Sequence, residues 1–145
     1  MSDAGYRAAR ELIDGAEDAD FVGPRPEELV AAAERALGLE FPPDYRRFVL
    51  DLGAGDVGGE EFFGVVDDDF EDAAIPDGVW LTLRERQDSG LPGDLILVHA
   101  PGDGSYHAIE PGGIVVRWVP GEARRDLVAS GFGEFLRRTV EDALG

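Results

Sequence analysis

Cysteine is absent, and so is lysine: all 13 basic residues of this 145-residue chain are arginine. Without cysteine there are no disulfides, no thiolate metal sites and no cysteine nucleophile, and the composition suits a reducing compartment. Without lysine the glycine-rich segment AGDVGG, residues 54–59, has no P-loop chemistry, since nothing in it reaches a phosphate and no GK[ST] follows. No apolar run nears the ~20 residues of a membrane span. The first 21 residues, MSDAGYRAARELIDGAEDADF, lack the basic and apolar regions of a secretory signal. The chain is therefore expected to be cytoplasmic. A G-x-S-x-G elbow is also missing.

Acidic residues, by contrast, are abundant: 31 Asp and Glu give a formal net charge of −18. Direct binding to nucleic acid is disfavoured, because affinity there comes largely from Lys and Arg on phosphates. Fast, salt-sensitive encounter with a basic partner is favoured. Solubility or an acid-rich, GC-rich proteome explains the same charge, and composition does not separate these readings. A hydrophobic content of 43% and this length fit one domain with a core of its own.

The clearest stretch runs from Leu29 to Gly53. Leu29, Ala33, Ala36 and Leu37 keep helical spacing, and Gly38 stands at the C-cap. Pro42 bars helix and Pro43 suits a first helical position, with Asp44 favourable to the dipole. Tyr45, Phe48, Val49 and Leu52 then recur at i, i+3, i+4 and i+7, and Gly53 ends the second helix of a hairpin. A short helix is expected at Tyr6–Ala16, then an acidic, weakly structured link through Asp20. Residues 1–25 are read as this helix and link, and residues 26–145 as the domain.

After the glycine-rich turn, Glu60–Val66 reads as a strand, Asp67–Gly78 as an irregular acidic loop and Val79–Gln87 as a helix. Asp94–His99, Tyr106–Ile109 and Ile114–Val119 read as a three-stranded antiparallel meander. EARRDLVASG, residues 122–131, reads as irregular. Phe132, Phe135, Leu136 and Val140 mark a closing helix to Leu144, with Ser130 as its cap. The expected class is α+β, with the N-terminal helical hairpin and the C-terminal helix on one face of an antiparallel sheet.

Chemistry is sparse. Asp67–Gly78 lacks the glycine and bidentate glutamate of an EF-hand, so it reads as a solvated loop and not a metal site. His99 and His107 flank a hairpin turn. A four-residue PGDG loop would place them on opposite faces of the sheet, and a five-residue loop on the same face. Two imidazoles alone do not make a zinc site, and ordinary hairpin histidines are the default. Asp103, Ser105 and His107 crowd into one turn and cannot take up relay geometry. No catalytic residue, cofactor or metal ligand is assigned, and the residues describe a non-enzymatic acidic binding module.

The run Ala33–Phe48, AERALGLEFPPDYRRF, resembles the opening signature of the SUKH superfamily, typified by a yeast regulator of cell-wall synthesis. Glu34, Leu37, Gly38, Pro42 or Pro43, Asp44, Tyr45 and Phe48 stand in the places of that signature. The order of ILVH, the Asp103-Gly104 turn, GGIV (Gly112–Val115), a tryptophan and FGEFL (Phe132–Leu136) is similar too. Phe41 departs from the usual aliphatic, and the acidic loop is variable. The resemblance implies helices packed on an antiparallel sheet. It also implies an immunity protein that binds a cognate bacterial toxin, a nuclease or other polymorphic toxin, and blocks it. The alternative, on the pattern of eukaryotic members, is a regulatory scaffold or adaptor; a small hydrolase ranks below both. On charge alone, Asp67, Asp68, Asp69, Glu71 and Asp72 form the expected contact patch for a basic toxin, with Trp80 as an aromatic anchor.

Overall fold

A computed structural model of the chain describes residues 4–73 and 76–145. Its order is α1 (Ala4–Asp14), β1 (Ala19–Phe21), α2 (Glu27–Leu37), α3 (Pro43–Leu52), β2 (Gly55–Val57), β3 (Glu60–Phe62), α4 (Gly78–Asp88), β4 (Ile96–His99), β5 (Tyr106–Ile109), β6 (Val115–Trp118), β7 (Arg125–Ala129) and α5 (Phe132–Leu144). The strands form one antiparallel meander in sequence order, β1 to β7. The α+β class, the helical hairpin and the closing helix are as the sequence reading expects.

Four segments differ from that reading. The acidic link is an edge strand: Ala19, Asp20 and Phe21 pair with Val57, Asp56 and Gly55. The glycine-rich turn contains β2 and only its last two residues turn. Gly58 and Gly59 both take positive φ, 59° and 84°, the type I′ combination whose twist suits a two-residue hairpin. The segment after Gly121 forms β7, held by pairing with β6 and by Arg125, which reaches Asp94 at 2.7 and 2.9 Å and Glu110 at 3.0 Å. These strands are short and rich in Asp, Gly or Arg, so ladder partners and ion pairs create them where intrinsic preference does not. The strand expected at Glu60–Val66 stops at Phe62.

Alternation along the strands separates two cores. Ile96, Val98, Ile109 and Val115 point to one face, where Tyr45, Phe48, Phe132, Phe135 and Leu136 cover them. Leu97, Ala108, Val116 and Trp118 point to the other, where Leu81 of α4 packs with Phe63, Leu91 and Leu95. The expectation that helices cover a single face is corrected for α4, although its Val79 also reaches the first core. The first core extends to Tyr6, Ala9 and Ile13 of α1, which lies along α5. A Cβ at Gly133 would stand 2.9 Å from the Tyr6 amide nitrogen, so the glycine permits this close crossing.

The helical hairpin does more than supply apolar area. The Asp44 carboxylate is buried and accepts two backbone N–H groups, from Tyr45 at 2.8 Å and from Gly133 in the first turn of α5 at 2.9 Å. Ser130 does not cap α5: the N-cap position is Gly131, with no side-chain cap of its own. Asp44 fills that role from α3. The Tyr45 hydroxyl donates to the Phe63 carbonyl at 2.8 Å, fixing α3 to the chain just beyond β3.

Candidate functional site

Beyond Val66 the chain leaves the sheet as Asp67-Asp68-Asp69-Phe70-Glu71-Asp72. Consecutive carboxylates cannot enter a buried layer without partners, so the run stays at the surface, where all five acidic residues are exposed. The loop orders itself through its own side chains. Asp67 Oδ1 accepts from the Asp69 N–H at 3.0 Å, and Asp69 Oδ1 accepts from those of Glu71 and Asp72 at 3.3 and 3.1 Å. Phe70 turns inward and packs, half-buried, against the main core. Residues 74 and 75, within the expected loop, lie outside the described residues.

Asp77 then starts α4. Its Oδ1 accepts from the N–H groups of Val79 and Trp80 at 3.0 and 2.9 Å, an N-cap in the usual geometry. Burial nonetheless pushes the Asp77 carboxyl above the usual carboxylate range, against the helix amides that pull it down. With the helix set there, Trp80, Arg84 and Asp88 follow at i, i+4 and i+8 on one side. The Arg84 guanidinium lies over the Trp80 ring, 5.7 Å from its centroid, and Arg84 Nε donates to Asp88 at 3.1 Å.

The structure therefore splits the expected patch between two grooves. Glu71 and Trp80 line one, together with Phe70, Leu83, Arg84 and Asp88. Asp67 and Asp68 line another, beside Arg25, Pro26 and Leu29 at the start of α2. Asp69 and Asp72 line neither of these two grooves. Sequence reasoning missed Phe70 and Arg84. An aromatic residue inside an acidic run was the available signal for the first. The i, i+4 spacing from Trp80 and to Asp88 was the signal for the second.

A second polar cluster lies across the sheet. A bulge between Leu97 and His99 shifts the β4–β5 register so that His99 pairs with His107. Both histidines then face the α5 side, which settles the question that the hairpin loop length leaves open. Their Nδ1 atoms are 2.9 Å apart, the ring centroids 5.1 Å apart and the planes within 12°, so the rings meet nearly edge to edge. Such a contact needs one Nδ1–H and one free lone pair. Glu60 lies 3.5 Å from His99 Nε2, an approach that assigns the His99 proton to Nε2 and makes His107 Nδ1 the donor. Phe135 packs edge-on against both rings. Burial lowers the His99 imidazole from its ordinary value, against Glu60. Burial and the neighbouring His99 hold His107 down to about 4.

This pair gives a pH signature. In the unfolded chain both imidazoles titrate at about 6.5, whereas the folded protein keeps them neutral to lower pH. Their contribution to stability is complete above about pH 6.5 and is lost as pH falls toward 4. The expected loss is on the order of 2 kcal/mol, and His107→Gln should flatten the denaturation midpoint over that interval. Equal pH slopes for the two proteins would show that the pair does not set this window. Asp77, whose carboxyl is raised, works with opposite sign at the acid end.

Around the histidines, the hydroxyls within the cluster are committed elsewhere. Thr139 Oγ1 donates to the Phe135 carbonyl at 2.8 Å, and Ser105 donates to Asp103. Among the described residues no group of three His, Cys, Asp or Glu side chains could hold a metal ion. None of the described helices is long and apolar enough to cross a membrane.

Residues 9–141 match the SUKH_5 family, SMI1-KNR4 cell-wall. The chain belongs to this family. Within the SUKH_5 match lie the Pro-Pro-Asp-Tyr corner, the histidine pair, the acidic loop and nearly all of α5. A solved protein from Pseudomonas syringae pv. tomato is 18% identical and superposes with a TM-score of 0.72, over 93% of this chain and 98% of that one. At that identity the likeness concerns the fold alone. The comparison with curated proteins gives no match.

Proposed function

We propose that this SUKH_5 protein is a non-enzymatic, cytoplasmic binding protein that neutralises a cognate bacterial toxin by direct contact. Asp67, Asp68, Asp69, Glu71, Asp72 and Trp80 form the contact patch. The observation that carries the reading is the acidic loop itself: it exposes five carboxylates, and one of them, Glu71, shares a groove with the half-buried Trp80 of α4. A net charge of −18 steers such a surface toward a basic protein, and the loop's carboxylates would lie where a nuclease holds phosphates. The family match agrees with an immunity-type role. An aromatic side chain at the edge of a charged patch is the usual form of an interface anchor.

The test is co-expression with the product of the adjacent gene. The expected outcome is a complex that survives purification and restores growth. Reversing Asp67, Asp68 and Asp69 to arginine should weaken it by at least about tenfold and reduce its salt dependence. A complex whose affinity and salt dependence ignore that reversal would remove the patch. A stable complex that leaves its partner fully active would instead fit a scaffold or adaptor.

A further inference from the structure

The groove between the acidic loop and α4 has the parts of an arginine site, and it already holds one arginine. Trp80, Phe70 and Leu83 supply an apolar floor, while Glu71 and Asp88 supply carboxylates at the rim. Arg84 lies over the indole and pairs with Asp88. Both ends of that pair are more than half exposed, at 58% and 56% of the side chain. An exposed i, i+4 pair of this kind contributes little, so the guanidinium is easily exchanged.

We infer that the groove receives an arginine side chain from a basic protein partner, with Arg84 as an intramolecular placeholder that the incoming guanidinium displaces. The inference rests on the reading above that the partner is a basic protein, and it names the side chain that the patch recognises. Three features favour arginine over a generic cation. An indole face attracts a planar guanidinium by stacking as well as by charge. A carboxylate at the rim offers the paired oxygens that a guanidinium fork matches. Third, the chain's own arginine shows the geometry to be attainable. Exposed Asp67, Asp68, Asp69 and Asp72 belong to the same loop as Glu71, outside the groove itself, and add the negative charge that selects a basic segment over an apolar one.

The consequence is unusual in sign. Removing a basic residue from this groove strengthens binding beyond what the lost charge explains. Arg84→Gln is compared with Arg124→Gln, just before β7, which makes the same change in net charge. Arg124 likewise holds one surface carboxylate, Asp126, at 2.8 Å. The probe is a fluorescent arginine-rich peptide, alongside its lysine-for-arginine counterpart, at physiological salt. Arg84→Gln is expected to raise affinity for the arginine peptide about two- to fivefold, the range of a surface cation–π contact. Arg124→Gln should change it by less than about 1.5-fold, because Arg124 does not line the groove and an exposed charge is weakened by salt. Adding Trp80→Leu to Arg84→Gln keeps apolar bulk on the floor and should abolish the gain.

Equal gains from the two glutamine variants, or equal gains for the arginine and lysine peptides, would overturn the inference, since long-range charge would then suffice. Concentration-dependent self-association of Arg84→Gln would also overturn it, by making a second copy the occupant. The adjacent gene's product separates this inference from the functional reading. If that product binds the wild-type protein but ignores Arg84→Gln and Trp80→Leu, the groove assignment fails and the partner reading stands. If it does not bind the wild-type protein at all, that reading fails, while the peptide comparison still decides the groove.

Discussion

Gly64→Ala is expected to leave little folded protein at 37 °C, a loss of at least about 4 kcal/mol. A Cβ built on Gly64 would stand 1.8 Å from the Gly53 carbonyl oxygen. That oxygen cannot retreat, because it accepts the Val65 N–H at 3.0 Å. Gly64 is itself held on both sides: its N–H donates to Pro76 at 3.0 Å and its carbonyl accepts from Gly78 at 2.7 Å. Here the end of α3, the chain beyond β3 and the start of α4 are drawn into van der Waals contact. The added methyl must push at least one of these elements away, and each carries part of a core. A domain of this size has only about 5–15 kcal/mol in total, so the change removes much of it. Urea denaturation followed by far-UV circular dichroism measures the loss. Gly93→Ala is the control, since nothing lies within 4 Å of its Cβ position and its φ is not positive. It should stay within about 0.5 kcal/mol of wild type.

Asp44→Ala is the second large effect, expected at about 2–3 kcal/mol. The change leaves the buried Gly133 N–H without its acceptor and removes a negative charge from the positive ends of α3 and α5. Asp44→Asn keeps an acceptor oxygen and should cost roughly half as much. Because α1 lies along α5, the damage should spread there, and hydrogen exchange should rise in α5 and α1 before it rises in β4–β6. A uniform rise across the sheet would show instead that Asp44 supports α3 alone.

These two sites mark the boundary of what the sequence makes legible. The apolar spacing of α2, α3 and α5 and the hydrophobic runs of β4 to β6 are local signals, so those elements could be read from the chain. The Pro-Pro-Asp-Tyr corner and the order of the later motifs pointed to the family. β1, β2 and β7 could not be read, because Asp, Gly and Arg carry no strand preference and pairing alone makes them strands. Ser130 looked like the cap of α5 because a local search sees only neighbours. The actual cap lies 89 positions away. The histidines could not be placed from loop length, since the bulge between Leu97 and His99 decides their face. Within the candidate patch, exposure of the aspartates follows from charge. Its division between two grooves, and the seat of Arg84 on Trp80, depend on where Asp77 starts α4.

The hairpin therefore holds the fold together through Asp44 and Tyr45, while the surface proposed for a partner lies on the acidic loop and α4. One measurement tests that most directly: titration of the wild-type protein with the adjacent gene's product at stepped salt concentrations. The account predicts saturable binding with affinity that falls steeply as salt rises, and loss of the partner's activity at one equivalent. Failure to bind, or binding that is indifferent to salt and leaves the partner active, would contradict it.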